Sequence, residues 1–284
     1  MDEPHDAQPA AAAPKAGGST NGARPDVAAV DESAEQLLGQ WVNIEPGPME
    51  KLIRYSTLWI WDILFRLRTY GSENIPAEGP FLFCPNHSSW FDPFLQVRGR
   101  RRVIRFMGKA QLFDIPVIRS LVRACGGFPV RRGQGDSFAM ELASRILRSG
   151  QPLCMYPEGT RYRANDELGP ARRGAARLAL ETGVPVIPVA SHGTKPRAAR
   201  GERGLPWKLP RITTIYGPML RFDHLENTPE NVELVRDEMW AEVQRLFELA
   251  RELNGRRVRP RRFKVPSRPA GDTASAGSKA PGRR

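Results

Sequence analysis

Three cysteines, no long uncharged apolar run and no glycine signature for nucleotides set the first limits on this 284-residue chain. Cys84, Cys125 and Cys154 are odd in number and lack C-x-x-C spacing, which excludes a disulfide framework or a zinc knuckle. They read as buried free thiols of a reducing compartment. Four scattered histidines add no metal spacing, so no metal is expected. No window reaches the roughly 20 apolar residues of a spanning helix. The nearest, Leu52 to Leu67, is interrupted by Arg54, Asp62 and Arg66. The start, Met1-Asp2-Glu3-Pro4, is acidic and lacks an apolar core, so no signal peptide is expected. Gly-x-Gly-x-x-Gly and Gly-x4-Gly-Lys-Ser/Thr are both missing, which leaves dinucleotide and P-loop chemistry without support. The absence of Gly-x-Ser-x-Gly disfavours a serine hydrolase.

Charge is abundant and uneven. Residues 1–48 hold eight acidic and two basic side chains, and residues 255–284 hold ten basic and one acidic; with +12 overall, the body between them carries +9. A basic body seeks anions: phosphorylated substrates, anionic lipid or nucleic acid. Nucleic acid is not expected, because Phe263 is the lone aromatic in the basic tail and base stacking has no platform. The leader, 1–48, is poor in periodicity and rich in Ala, Pro, Gly and Asp, and is expected to be disordered, as is the tail, 255–284.

Between them, residues 49–70 read as an amphipathic helix with Trp59 and Trp61 and basic ends. It suits either a membrane interface or a core position. From 71 to 254, apolar runs alternate with helical periodicity. Strands are expected at Phe81–Cys84, Val103–Met107, Phe128–Val130, Pro152–Tyr156, Val184–Ala190 and Arg211–Tyr216. Helices are expected from Asp92, over Gln111–Arg123 with a break at Pro116, and over Asp136–Arg148, Arg172–Thr182 and Pro229–Asn254. The alternation predicts an α/β domain with a mostly parallel central sheet flanked by helices. Pro185 and Pro188 argue against a fully hydrogen-bonded central place for the Val184–Ala190 strand. Ligands of such sheets sit beyond the carboxyl ends of the strands, where His87, Arg132 and Glu158 all fall.

His87 and Asp92, five apart, lie about 140° apart on an ideal helix. They can meet only if His87 stays in the loop and Asp92 opens the helix. An imidazole with a carboxylate behind it is a general base; the bland alternative is a loop histidine beside an ordinary helix cap. Glu158-Gly159-Thr160-Arg161 offers a turn with a planar cation for phosphate, or simply a Glu158–Arg161 ion pair. Arg131 and Arg132 could clamp the same phosphate or stand solvated. Arg172 and Arg173 open the next helix against the usual dipole preference. His192 reads as a structural or loop donor.

Four stretches, in order, resemble the glycerolipid acyltransferases, of the lysophosphatidic acid (1-acyl-sn-glycerol-3-phosphate) acyltransferase type. They are Asn86-His87 to Asp92, Gly127-Phe128-Pro129-Val130-Arg131-Arg132, Tyr156-Pro157-Glu158-Gly159-Thr160-Arg161, and Val184-Pro185-Val186-Ile187-Pro188-Val189. The resemblance runs from about Gly71 to Tyr216. It implies transfer of a fatty acyl group from acyl-CoA or acyl carrier protein, as co-substrate and without a further cofactor, to the hydroxyl of a lysophospholipid acceptor. It implies His87 as base, Asp92 as its partner, Arg132 on the acceptor phosphate, and Glu158, Gly159, Thr160 and Arg161 around the acceptor. Arg131 stands where many members carry an acid, and counts with the substrate-binding set. The implied location is peripheral, on the cytoplasmic face of the cell membrane, against an anionic surface. Other lysolipid or glycolipid acceptors, or anionic-membrane binding without catalysis, remain the alternatives.

Overall fold

The structure is a computed structural model that describes residues 35–36, 38–42, 47–96, 102–130, 136–162, 166–195, 211–255 and 264–266. Seven strands form one sheet: β1 (Arg68–Tyr70), β2 (Leu82–Pro85), β3 (Arg105–Lys109), β4 (Gly127–Val130), β5 (Leu153–Cys154), β6 (Val186–His192) and β7 (Thr213–Tyr216). Their order is β1-β7-β6-β2-β5-β3-β4. Strands β4, β3, β5, β2 and β6 run parallel; β7 turns antiparallel to β6, and β1 follows β7 in parallel. Five carboxyl ends therefore share one edge of the sheet, the edge where α/β proteins place ligands.

Period-two alternation assigns the two faces of the sheet. Leu82, Cys84, Leu153 and Val186 point into one apolar cluster, beneath α4 (Asp136–Arg148) and α5 (Gly174–Thr182). Phe81, Phe83, Cys154, Ile187 and Val189 point into the other, with Val122 of α3 (Pro116–Ala124). The 27-residue α6 (Pro229–Gly255) covers β6 and β7 through Leu246, Phe247 and Ala250. Thr228 caps it by accepting from Asn231 N. Both faces of the sheet are thus covered, and all three cysteines are buried free thiols.

Several boundaries differ from expectation. Helix α1 spans Pro48–Phe65 and ends at Arg66, which takes the left-handed φ of 44°. Arg68–Tyr70, read from sequence as the end of that helix, is edge strand β1. Pro116 opens α3 rather than kinking a longer helix, and a single 3-10 turn, Ala110–Phe113, precedes it. Strand β6 is central, between β7 and β2, with Pro185 just before it and Pro188 within it, and its ladder is incomplete as expected. Pro188 falls where the β7 side of the ladder is interrupted. Pairing runs to Val189↔Tyr216 and resumes at Val186↔Leu220, and in the gap Pro188 only accepts, from Gly217 N. A residue with no N–H is tolerated there because no donor is asked of it. From the basic tail, Lys264–Pro266 is described; Val265 packs on the α6 cluster and Pro266 O accepts from Arg245. Residues 1–34, like the rest of the tail, lie outside the described residues.

Candidate active site

Strand β2 ends at Pro85, and the next residue carries the ladder one rung further with its side chain. Asn86 Nδ2 donates to Ser191 O at 3.1 Å, and Ser191 N donates to Asn86 Oδ1 at 2.8 Å. This pins the start of the loop to β6. The chain then turns through Ser88–Phe91 into the short helix α2 (Asp92–Gln96). Asp92, its first residue, is fully buried and faces back into the loop. Its Oδ2 accepts from Ser88 N at 2.6 Å and Ser89 N at 2.7 Å, and meets His87 Nδ1 at 3.0 Å. The bent geometry expected from the spacing of five is the one observed. With Nδ1–H donating to Asp92, Nε2 of His87 is left as the proton acceptor. The imidazole lies on the ring of Tyr156, 3.9 Å between centroids and 26° between planes. Burial pushes the Tyr156 hydroxyl well above its ordinary value, with Cys154 and Asp92 adding to the shift, so the ring beneath His87 stays neutral.

The Pro157–Tyr162 turn follows β5 and is joined to this loop through main chain. His87 N donates to Glu158 Oε1 at 2.7 Å, and Tyr162 N donates to His87 O at 2.9 Å. Glu158 is 4% exposed, and its second oxygen accepts from Gly169 N at 3.1 Å. Each oxygen accepts from one backbone amide, so Glu158 ties the two loops together. Gly169 is needed at that approach, since a Cβ would sit 2.8 Å from Glu158 Oε2. Gly159 takes φ 67° at the exposed tip of the turn, and Thr160 beside it is exposed. The Arg161 guanidinium lies over the face of Trp90, Cζ 4.1 Å from the ring centroid. Arg131 and Arg132 lie outside the described residues.

Sequence reasoning missed Tyr156, Trp90 and Lys195. Lys195, past the end of β6, is 3% exposed and donates to Glu167 O. Burial lowers its ammonium, with Asp166, Glu158, Glu167 and Asp92 opposing that shift. His192 is buried against Asp166 at 3.0 Å and Asn254 at 2.9 Å, and fastens the 166–169 segment to β6 and α6. The signal available for Tyr156 and Lys195 was position alone: both follow a parallel strand at its carboxyl end. An open groove of about 390 Å³ between Gly79, Pro185 and Arg221 lies at the opposite ends of the strands, away from His87. Among the described residues no three His, Cys, Asp or Glu side chains gather as a metal site.

Burial raises Glu158 to about 7, against the pull of the His87 and Gly169 amides and of Lys195, with Asp92 adding to the rise. Its folded value thus exceeds the ordinary 4.5. The stability it contributes is complete below about 4.5 and disappears as pH rises through about 7. Glu158→Gln, which has no such proton to lose, should flatten the decline of the urea midpoint between these pH values. An unchanged slope would assign the pH dependence to another group.

Known proteins are similar to this chain in sequence and fold. The Acyltransferase family model matches residues 66–192. A chloroplastic 1-acyl-sn-glycerol-3-phosphate acyltransferase of Brassica napus is 30% identical over 48% of this chain and 40% of its own. The Bacillus subtilis protein of the same name is 30% identical over 45% of this chain and 63% of its own. That of Streptococcus pneumoniae is 27% identical over 67% and 70%. The chain spans 40% to 63% of the length of the Brassica and Bacillus relatives. The crystal structure of the 1-acyl-sn-glycerophosphate acyltransferase PlsC of Thermotoga maritima superposes with a TM-score of 0.57 at 22% identity, covering 82% of this chain and 94% of that one, and shares the fold. The segment that the Acyltransferase model matches, residues 66–192, holds both the His87–Asp92 pair and the Glu158–Arg161 turn.

Proposed function

We propose that the protein transfers a fatty acyl group from a thioester, acyl-CoA or acyl carrier protein, to the free hydroxyl of lysophosphatidic acid, giving phosphatidic acid. One observation carries the reading: the imidazole backed by Asp92 and the guanidinium of Arg161 sit on two loops bonded to each other, His87 N to Glu158 and Tyr162 N to His87 O. A proton acceptor thus stands beside an anion anchor. Arg161, with the exposed Gly159–Thr160 tip, holds the acceptor phosphate. His87 Nε2 takes the proton of the acceptor hydroxyl as its oxygen attacks the thioester carbonyl. The tetrahedral oxyanion collapses, the C–S bond breaks, and the thiolate leaves with the proton of the imidazolium. Asp92 stabilises that imidazolium while it exists. Thioesters are electrophilic enough that no covalent enzyme intermediate is required.

The surface beside the site supports a peripheral membrane location. Among the described residues no helix is long and apolar enough to cross a membrane. Helix α1 nevertheless exposes Leu52, Tyr55, Trp59, Ile60, Ile63 and Leu64. Its last residue, Phe65, packs on Phe91 of the catalytic loop at 5.9 Å. An apolar strip with tryptophan, joined to the site and carried on a basic body, suits an anionic lipid surface from which the acceptor is drawn.

The test is purified full chain with radiolabelled oleoyl-CoA, with and without lysophosphatidic acid, resolved by lipid chromatography. Labelled phosphatidic acid that depends on the acceptor is expected. Free oleate released regardless of acceptor would replace transfer by thioester hydrolysis, and label moving only to a different acceptor would replace the head group.

A further inference from the structure

Trp90 lies between His87 and Asp92, on the loop that carries the base. It is 49% exposed, an uncommon position for an indole. What its face meets is Arg161, with Cζ 4.1 Å from the centroid. The loop beneath it is braced: Phe91 N donates to Ser89 Oγ at 3.3 Å, and Asp92 takes the Ser88 and Ser89 amides. On the other side, Tyr162 N fixes the residue after Arg161 to His87 O. The indole is thus a rigid shelf and Arg161 a long side chain laid upon it.

A guanidinium stacks well because it is planar and weakly hydrated, and stacking engages its face while anions are bound through its N–H edge. An arginine without a shelf must surrender its rotamer freedom when the phosphate arrives, whereas one already laid down has surrendered it in advance. Resting on the reading of Arg161 as the phosphate anchor, we propose that Trp90 is the positioning residue that presents Arg161 to the acceptor, and so sets the preference for phosphorylated over neutral acceptors. Trp90 touches no reacting atom. Its contribution appears in acceptor recognition rather than in proton transfer.

The experiment compares wild type, Trp90→Phe and Trp90→Leu, each as full chain, with oleoyl-CoA as donor. The acceptors are lysophosphatidic acid and the phosphate-free 1-oleoylglycerol. Trp90→Leu should raise KM for lysophosphatidic acid about tenfold. It should leave KM for oleoyl-CoA and kcat within about twofold, so that preference for the phosphorylated acceptor falls about tenfold. Trp90→Phe, which keeps a weaker ring face, should raise that KM about two- to threefold. In an Arg161→Ala background, Trp90→Leu should add nothing further to the acceptor KM. Equal losses on both acceptors, or a fall in kcat with acceptor KM unchanged, would reduce Trp90 to a structural part of the loop. If leucine compromises folding, the phenylalanine variant decides alone: an acceptor KM equal to wild type overturns the proposal. Wild type with no lysophosphatidic acid-dependent transfer is a separate result, against the acceptor itself.

Discussion

His87→Ala loses acyl transfer by about 10³-fold or more while the protein keeps its fold, given the 10²- to 10⁴-fold range of a positioned general base and the loss of a thiol-protonating acid in the same step. The structure makes this substitution unusually clean. The bonds that hold the loop use the main chain of residue 87: its N–H to Glu158 at 2.7 Å and its C=O from Tyr162 at 2.9 Å. Alanine retains both. Asp92 still receives the Ser88 and Ser89 amides, so the carboxylate is not left without partners. What disappears is the imidazole alone, and with it the stack on Tyr156. Circular dichroism and the urea midpoint should stay near wild type, and KM for lysophosphatidic acid, which we propose Arg161 sets, should change little. Turnover within tenfold of wild type would mean that the acceptor hydroxyl is deprotonated by something other than His87.

Much of this arrangement could be read from the chain because it depends on order along the sequence. Short apolar runs alternating with helices specify parallel strands, parallel strands specify one functional edge, and His87 and Glu158 each follow a run. The bent His87–Asp92 pair followed from the same logic, since a separation of five is wrong for a helix and right for a loop that leads into one. What escaped depends on contacts across the sheet. Trp90 and Arg161, or His87 and Tyr156, are about 70 positions apart, and no local pattern joins them. The tie that Glu158 makes between two loops depends on the His87 and Gly169 amides, donors whose directions only the folded loops define. The proline rule held in part: β6 is central, but its ladder is not complete, and the gap between Tyr216 and Leu220 asks no donor of Pro188. Strand β1 was lost because Arg66 breaks α1 in a left-handed conformation without the glycine or proline that usually announces such a break.

Asp92→Asn should separate the charge of the pair from its geometry. Among the described residues the three contacts of Asp92 converge on Oδ2, whereas Oδ1 is buried with no hydrogen-bond partner there. Asparagine can therefore place its amide oxygen where Oδ2 lies and continue to accept from Ser88 N, Ser89 N and His87 Nδ1. The reverse orientation would aim an NH₂ group at three donors and is disfavoured. The NH₂ then occupies the Oδ1 position, a buried donor with no acceptor, which costs on the order of 1–3 kcal/mol and should lower Tm by several degrees. The loop and the tautomer of His87 survive, but the negative charge opposite the developing imidazolium does not. A fall in kcat of about 10²- to 10⁴-fold is expected, with KM for both substrates close to wild type. Calorimetry beside steady-state kinetics measures the two effects separately. If kcat stays within about threefold of wild type while Tm falls, Asp92 is a brace for the loop and the charge has no part in the chemistry. If kcat collapses while Tm falls only by the cost of one unsatisfied donor, the carboxylate is an electrostatic partner of the base, and the buried, one-sided hydrogen bonding of Asp92 serves to hold that charge 3.0 Å from Nδ1.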